Sequence, residues 1–450
     1  MYKPYVKPVS AALPDVNVRE PRISKLVLFV LRMLSGLYIY FLFGVKKMVV
    51  RNGRSFFEAY QRALEGKSRC IIAFRHPNGT EAQVLMHFIL FKLRGEARKA
   101  GIKFCRRPYV SFVYGYEVAR WGGSMARWVL PGTGAMPVHH TKVDSAGMNR
   151  IFKAVTDGPY PLAIAPEGQV SYSTESVPRL EQGTVRIGFQ VAERLKKQGK
   201  DCPVEILPLS THYRFGSGGV RSLNKLIKKI EKYTGMEDDS AEFTERLRRS
   251  RDYILEKNEK RYGITAGKDQ AFNERIDILM EAALSRAERI LGIRAKSSDL
   301  VDRMYHIRQV SWDRMVIPDV TSLDHLTLLE RGILDLNSGE AWHASRHMEL
   351  VDFVWYFRVP IPSGDAPIHV RIEYAQNLWD FINRTLGGTF SVRIMNVHPK
   401  QLLIQAAPVI NLTSRLNDYK ENKKDAIAAA MNDMEKAYLD CIDRAAEYQI

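Results

Sequence analysis

Short apolar runs alternate with helical stretches between residues 66 and 215, and this alternation constrains the fold more than any other feature of the chain. Three runs have the length and composition of buried strands, at 70–74, 161–165 and 204–209. The segments between them, such as 82–93 and 183–197, carry apolar residues at helical spacing. Strands separated by helices predict an α/β fold with a mostly parallel sheet flanked by helices.

The remaining segments predict how the chain is divided. At 450 residues it is too long for one ordinary domain. After residue 215 the chain is charged and helical, and a strand pattern returns at 401–405 before a terminal helix. We predict an extended arm at 1–22, a membrane-associated helical segment at 23–55, an α/β core at 56–215, a mainly helical insertion at 216–395, and a closing strand and helix of the core at 396–450.

Residues 26–45 form an apolar run of the length that a membrane-spanning helix needs, about 20 residues. Arg32 lies inside the run, the pair Ser35-Gly36 is a point where the helix can break, and basic residues flank both ends. These features favour a membrane-surface or re-entrant helix, with both ends on the cytoplasmic face. A buried core helix is the alternative, and no cleavable signal peptide is predicted.

The charge balance favours an acidic partner. The chain has 67 Lys and Arg against 50 Asp and Glu, a net charge of +17. An anionic membrane, a phosphorylated substrate and an acidic carrier protein all fit, and the basic helical stretch at 217–300 is either a solvated face or a docking site for such a partner. Nucleic acid is not expected, because no zinc-finger, RNA-binding or basic-zipper pattern occurs. The four scattered cysteines predict free thiols.

A histidine and an acid follow the first predicted strand at close spacing. Pro77 and Gly79 predict a turn after it, and Thr80 with Gln83 predicts a capping box at the start of the next helix. His76 is therefore expected at a strand end and Glu81 in the first turn of a helix, where α/β sheets place ligands.

This pair has the chemistry that ester formation needs. An attacking hydroxyl must lose its proton, and imidazole accepts protons near neutral pH. A carboxylate on the other ring nitrogen fixes the tautomer and stabilises the imidazolium. His76 is thus a candidate general base and Glu81 its orienting acid, although a purely structural pair is the alternative.

Two further segments surround this pair in the predicted topology. The second strand ends in Ala165-Pro-Glu-Gly168, where Glu167 and Gly168 are placed to bind hydroxyls or simply to form a turn. A glycine-bearing turn with Gly134 precedes His139 and His140. No metal site is predicted, because no cluster with ligand spacing accompanies these histidines.

These segments together resemble the glycerolipid acyltransferase superfamily, which includes bacterial 1-acyl-glycerol-3-phosphate acyltransferases. His76 and Glu81 match its first block, a histidine and an acid separated by four residues, in a variant with glutamate. Residues 134–140 resemble its Gly-Ala-Ile-Pro-Val-Asp-Arg block, and residues 165–171 resemble its Phe-Pro-Glu-Gly-Thr-Arg-Ser block. The apolar strand at 206–209, with its central proline, resembles the fourth block. The resemblance covers about 66–215, with 401–450 as the closing strand and helix.

The resemblance implies the superfamily's α/β fold and an O-acyltransferase of phospholipid biosynthesis. It implies transfer of a fatty acyl group from acyl-CoA or an acyl carrier protein thioester to a hydroxyl of a lysophospholipid or related glycerolipid. No metal or prosthetic group is implied. His76 and Glu81 would then be catalytic, while Gly134, His140, Glu167 and Gly168 would line the acceptor site.

Two departures from the family's blocks bear on the acceptor. The arginines of the second and third blocks are replaced by His140 and Val170. Arg75, Lys142, Arg179 and Arg186 are the candidates to bind an acceptor phosphate in their place, with Arg75 and Lys142 assigned to the acceptor site. Two other functions stay open: a catalytically inactive lipid-binding or membrane-tethering protein, and a thioesterase-like hydrolase in which water replaces the alcohol.

Overall fold

The computed structural model describes residues 12–15, 18–139, 144–238, 240–265, 270–318, 320, 322–385 and 400–448. It divides into two compact units. The α/β unit comprises Val18–Gly219 and Val397–Ile450, and the helical unit comprises Met1–Asn17 and Val220–Asn396.

The described elements follow one another in chain order as β1 (Leu13–Pro14), α1 (Lys25–Phe43), β2 (Val45–Arg51), α2 (Arg54–Leu64), β3 (Arg69–Phe74), α3 (Glu81–Phe91), α4 (Leu93–Lys99), β4 (Ser111–Gly115), α5 (Val118–Trp121), α6 (Gly123–Gly132), β5 (Met136–Val138), α7 (Ser145–Asp157), β6 (Leu162–Ile164), α8 (Gly183–Lys197), β7 (Val204–Phe215), α9 (Gly218–Thr234), α10 (Phe243–Tyr262), α11 (Phe272–Leu291), α12 (Leu300–Met315), β8 (Val316–Ile317), α13 (Leu328–Val354), α14 (Ile368–Thr385), β9 (Lys400–Ala406), β10 (Ile410–Asn411), α15 (Leu416–Glu421) and α16 (Lys423–Ala446). Short 3-10 helices cover Trp355–Arg358 and Thr413–Arg415.

The α/β unit is built on one sheet with the strand order β2-β9-β7-β3-β6-β4-β5. Every neighbouring pair on this path is parallel except β9 with β7, and β10 adds a second antiparallel pairing to β7. The central strand β3 is apolar in nearly every position, as expected where helices cover both faces of a sheet. The predicted α/β class with a mostly parallel sheet is therefore confirmed.

The strands at 70–74, 161–165, 204–209 and 401–405 are all present, but β7 runs to Phe215, beyond the predicted end. Its last residues are more polar than its first, yet they are buried because β9 pairs with them along their whole length. Tertiary pairing, not apolar content, sets the end of this strand.

The helix α1 runs without a break through Ser35-Gly36, contrary to the predicted weak point. Ser24 caps its start, and Gly44 ends it in the left-handed conformation. Most of its large apolar side chains are exposed, so it is not a buried core helix. Among the described residues, α1 is the helix long and apolar enough to cross a membrane.

The helical unit consists mainly of α9–α14, with β1 and β8 paired in parallel. Buried acids on its helices are held by two-pronged contacts from arginines, as in Arg246 with Glu231 and Arg275 with Glu259. The segments of this unit contain 29 Lys and Arg against 28 Asp and Glu, whereas those of the α/β unit contain 38 against 22. Nearly all of the positive surplus therefore belongs to the α/β unit, which does not favour the stretch at 217–300 as a dock for an acidic partner.

Candidate functional site

His76 follows the end of β3 and contacts the acid predicted for it. Its Nδ1 lies 2.8 Å from Oε2 of Glu81, the first residue of α3. The backbone turns between the two through Gly79, whose φ of +84° favours glycine. The parallel strand β3 therefore delivers the imidazole to the carboxyl edge of the sheet, and the helix start supplies its partner.

Glu81 is fully buried and accepts hydrogen bonds at both carboxylate oxygens. Oε2 receives the backbone N–H of Gly79 at 2.9 Å in addition to His76, and Oε1 receives the hydroxyl of Tyr213 at 3.0 Å. Tyr213 lies in the part of β7 that the sequence pattern did not predict. Extending the predicted strand beyond Leu209 would have indicated this residue. Alternate strand residues share a face, so Tyr213 lies on the same face as Leu209 and Thr211.

The predicted capping box at Thr80 does not form. Thr80 is the N-cap residue of α3, but its side chain makes no capping hydrogen bond. Its hydroxyl lies 2.6 Å from that of Tyr213 instead. Since Tyr213 donates to Glu81, Thr80 donates to Tyr213, and the hydroxyl is used to support the carboxylate rather than the helix end.

The environment fixes the protonation of the pair. Burial disfavours the imidazolium, but the hydrogen bond and charge of Glu81, together with the charge of Glu167, outweigh it and raise the pKa of His76 above its ordinary value. Burial likewise opposes ionisation of Glu81, yet hydrogen bonds from His76, from its own backbone and from Tyr213 lower its pKa. An ionised carboxylate can only accept a hydrogen bond, so Nδ1 of His76 carries a hydrogen and donates a hydrogen bond to Glu81.

The second ring nitrogen of His76, Nε2, is available to contact a substrate. Its side chain is 21% exposed while that of Glu81 is fully buried. In the described part of the chain, Nε2 has no hydrogen-bond partner from the protein. In the neutral imidazole Nδ1–H is held by the carboxylate, so Nε2 carries the lone pair that a general base requires.

Arg75 and Glu167, both predicted to contact the acceptor, form a fully buried ion pair instead. Nε of Arg75 lies 2.9 Å from Oε1 of Glu167, and Oε2 of Glu167 accepts the backbone N–H of His76 at 3.0 Å. The remaining nitrogens of Arg75 donate to the carbonyl oxygens of Ser173, Thr174 and Ser176. The predicted acceptor contacts are corrected accordingly, because every polar group of the pair is used inside the protein.

This ion pair ties the loop after β6 to the residue before the candidate base. The N–H of Ser171 donates to the carbonyl of His76 at 3.0 Å, so His76 is fixed to this loop from both its backbone groups. Tyr172, next to Ser171, has a φ of +54°, a conformation that is rare for a bulky residue. Such strain persists where surrounding contacts over-determine the backbone, as the three carbonyl contacts of Arg75 do here.

The other predicted acceptor residues lie at two places. Gly168 has a φ of +68°, a conformation that favours glycine at this turn. Gly134 has a φ of +64° and lies against the side chains of Ile23 and Ser111. His140 and Lys142 lie outside the described residues.

His139 lies just after β5 and was not assigned a role from the sequence. Its ring stacks on that of Tyr116, with 4.1 Å between centroids, and its backbone N–H donates to Oδ2 of Asp144. Tyr116 follows β4 just as His76 follows β3, so the carboxyl ends of parallel strands collect these rings at one edge of the sheet. Among the described residues, no group of three His, Cys, Asp or Glu side chains is arranged to hold a metal ion.

Comparisons with protein-family models, with curated proteins and with solved structures found no match to this chain.

Proposed function

We propose that this protein is an O-acyltransferase that moves a fatty acyl group from an acyl-CoA or acyl carrier protein thioester to a hydroxyl of a lysophospholipid or related glycerolipid. The observation that carries the proposal is the pair at the end of β3. Nδ1 of His76 is held by a buried carboxylate, the side chain is partly exposed, and Nε2 contacts no hydrogen-bonding group in the part of the chain that the structure describes. The reaction class comes from the resemblance of the sequence blocks to glycerolipid acyltransferases. We also propose that the α/β unit has the fold of that superfamily.

The proposed reaction needs one proton carrier. Nε2 of His76 takes the proton of the acceptor hydroxyl as its oxygen attacks the thioester carbonyl. The resulting imidazolium is stabilised by the charge of Glu81, which stays ionised. The tetrahedral intermediate then expels the thiolate, and the proton on Nε2 passes to its sulfur. The products are an ester and a free thiol, and no covalent intermediate with the enzyme forms.

The ion pair of Arg75 and Glu167 supports this mechanism by position. It holds the backbone N–H of His76 and fixes the loop that receives the His76 carbonyl. A base held from both sides loses little freedom when it meets the hydroxyl, which favours a productive geometry. We therefore assign Arg75 and Glu167 as positioning residues.

The proposed location is a membrane surface on the cytoplasmic side. The exposed apolar face of α1 and the positive surplus of the α/β unit both suit an anionic bilayer. An acceptor with one acyl chain resides in the same bilayer, so enzyme and acceptor would meet there.

A coupled assay tests the reaction. The full-length protein in mixed micelles is given an acyl-CoA or an acyl carrier protein thioester, with and without lysophospholipid, and free thiol and lipid products are both quantified. We expect thiol release that depends on the acceptor and equals the amount of new diacyl lipid. The variant His76→Ala should lower both about 100- to 10,000-fold, while His325→Ala, which changes an exposed histidine of the helical unit, should have no effect.

The two alternatives give different results in the same assay. A thioesterase-like hydrolase would release thiol and free fatty acid without acceptor. A lipid-binding protein would release neither, with either donor and any acceptor tested. Either outcome from well-folded protein refutes acyl transfer.

A further inference from the structure

The helix α1 is attached to the α/β unit along its whole length. Near its start, Val27 packs against Gly132, where a Cβ would come within 2.4 Å of the valine. In the middle, Ser35 lies 2.8 Å from Nδ1 of His87 on α3. Near its end, Ile39 and Phe43 are buried. From Val27 to Phe43 the helix is about 24 Å long, at 1.5 Å per residue.

This attachment is incompatible with α1 crossing a bilayer. The hydrocarbon core is about 30 Å thick, so a crossing α1 would carry the flanking parts of the α/β unit to membrane depth. Polar backbone and side chains exposed there would each cost several kcal/mol. A helix lying in the membrane plane keeps its contacts with the unit and avoids that cost.

The exposed side chains of α1 form a broad apolar face, which fits an orientation in the plane. Leu26, Phe29, Met33, Leu37 and Tyr40 recur every three or four residues and are all exposed. The exposed apolar side chains that widen this face are Leu34, Tyr38, Phe41 and Leu42. The positions that contact the unit, including Ser35 and Ile39, recur on another side of the helix. Arg32 is three residues from Ser35 and seven from Ile39, so the charge inside the apolar run belongs to this second side.

The helix α6 is joined to the start of α1 and also has exposed apolar side chains. The backbone N–H groups of Arg22 and Ser24 donate to the carbonyls of Pro131 and Gly132, which joins the start of α1 to the end of α6. On α6, Met125 is 70% exposed and Trp128 is 37% exposed. Trp128 lies about one helical turn from the junction. Tryptophan is the side chain most typical of the membrane–water boundary.

Exposed cations lie at both ends of α1. The set comprises Arg22, Lys25 and Arg127 around the junction with α6, and Lys46 and Lys47 after the other end. Both ends of a helix in the membrane plane sit at the level of the lipid headgroups, where each such cation gains about 1 kcal/mol from anionic lipid. A crossing helix would place its two ends on opposite faces.

We infer that α1 lies in the plane of the membrane and, together with Met125 and Trp128 of α6, forms one surface that inserts into an anionic lipid bilayer. The inference rests on the membrane association proposed above and not on acyl transfer. It also links the bilayer to the candidate base, because α3, on which α1 packs through His87, begins with Glu81.

Depth measurements on vesicles test the orientation. Cysteines at Leu26, Met33 or Tyr40 carry a fluorophore in full-length protein whose accessible Cys105 and Cys202 are replaced by serine. Vesicles of phosphatidylcholine and phosphatidylglycerol contain lipids with quenchers at known depths. We expect the three labels at one shallow depth of about 5–10 Å below the surface. A label at Met33 near the bilayer centre, with shallow labels at Leu26 and Tyr40, overturns the inference, as does the absence of quenching at all three.

Flotation of the unlabelled protein tests the part played by α6. The double variant Met125→Ser/Trp128→Ser should lower the vesicle partition coefficient roughly 10-fold or more, because two large apolar side chains leave the lipid. Leu439→Ser, which changes an exposed leucine of α16, is the matched control and should not alter it. Vesicles without phosphatidylglycerol should bind roughly 10-fold less protein. Unchanged partitioning of the double variant overturns the role of α6. These vesicles contain no thioester or lysolipid, so the outcome is independent of enzymatic activity.

Discussion

Replacing Glu81 with glutamine removes one charge from the candidate site while its contacts can be kept. An amide oxygen in the place of Oε2 still accepts from His76 and from Gly79. The amide nitrogen then faces Tyr213, which can turn its hydrogen towards Thr80, 2.6 Å away. The tautomer of His76 therefore survives, and the substitution isolates the electrostatic part of the mechanism.

The loss of turnover in this variant follows from the charge of Glu81, which stabilises the imidazolium of His76. Without Glu81, burial and the remaining charges act on His76 alone, so its pKa falls and the imidazolium formed during reaction is less stable. Each unit of pKa corresponds to about 1.4 kcal/mol between the two protonation states. We expect the turnover number to fall about 100- to 10,000-fold, with little change in KM for either substrate.

The pH dependence gives a second, independent signature. The wild-type rate should rise with pH through an apparent pKa above the ordinary value of histidine, because the base must be neutral. In Glu81→Gln this limb should move to lower pH while its plateau drops. Rates of thiol release across pH, with circular dichroism to confirm folding, measure both effects. A folded Glu81→Gln variant with wild-type rate and an unmoved limb would show that Glu81 has no catalytic part.

The same pair should influence stability in a defined pH window. The raised pKa of His76 contributes stability that is present below the unfolded value and lost as pH rises through the folded one. The lowered pKa of Glu81 contributes stability that is present above its unfolded value and lost as pH falls. The pair is therefore most stabilising between the two unfolded values, in mildly acidic solution, and the wild-type excess in Tm over Glu81→Gln should be largest there.

Three other substitutions test the remaining assignments. His76→Ala should lose about 100- to 10,000-fold in turnover without unfolding, since the residue follows a strand end, and activity near wild type would end the mechanism. Arg75→Met leaves Glu167 buried and uncompensated, so thermal denaturation should show a loss of about 3–5 kcal/mol, and the double variant with Glu167→Gln should lose less than the sum of both. A stable Arg75→Met with a raised KM for a phosphorylated acceptor would return this arginine to acceptor binding. His140→Arg should improve use of lysophosphatidate relative to a lysophosphodiester, because guanidinium binds a phosphate monoester through two hydrogen bonds. If the wild type and the variant show the same preference between the two lipids, residue 140 does not select the acceptor.

The sequence by itself determined the α/β class and the pairing of the candidate base with its acid. The apolar run at 70–74 has the length and composition of a buried strand, and the turn residues after it set its end. The turn at Pro77 and Gly79 is likewise local, so five residues suffice to bring the acid at 81 to the imidazole at 76. Both features depend on neighbours in the chain, which periodicity and spacing report directly.

Only the tertiary structure decided which polar groups support the base. Tyr213 is 132 residues from Glu81 in the chain, and Glu167 is 91 from His76, yet each meets its partner because β7 and β6 flank β3 in the sheet. The order of strands depends on how distant segments pack, and no local pattern contains it. For the same reason the sequence alone suggested that Arg75 contacts a substrate. In the structure the loop after β6 covers Arg75, and its guanidinium binds carbonyl oxygens of that loop.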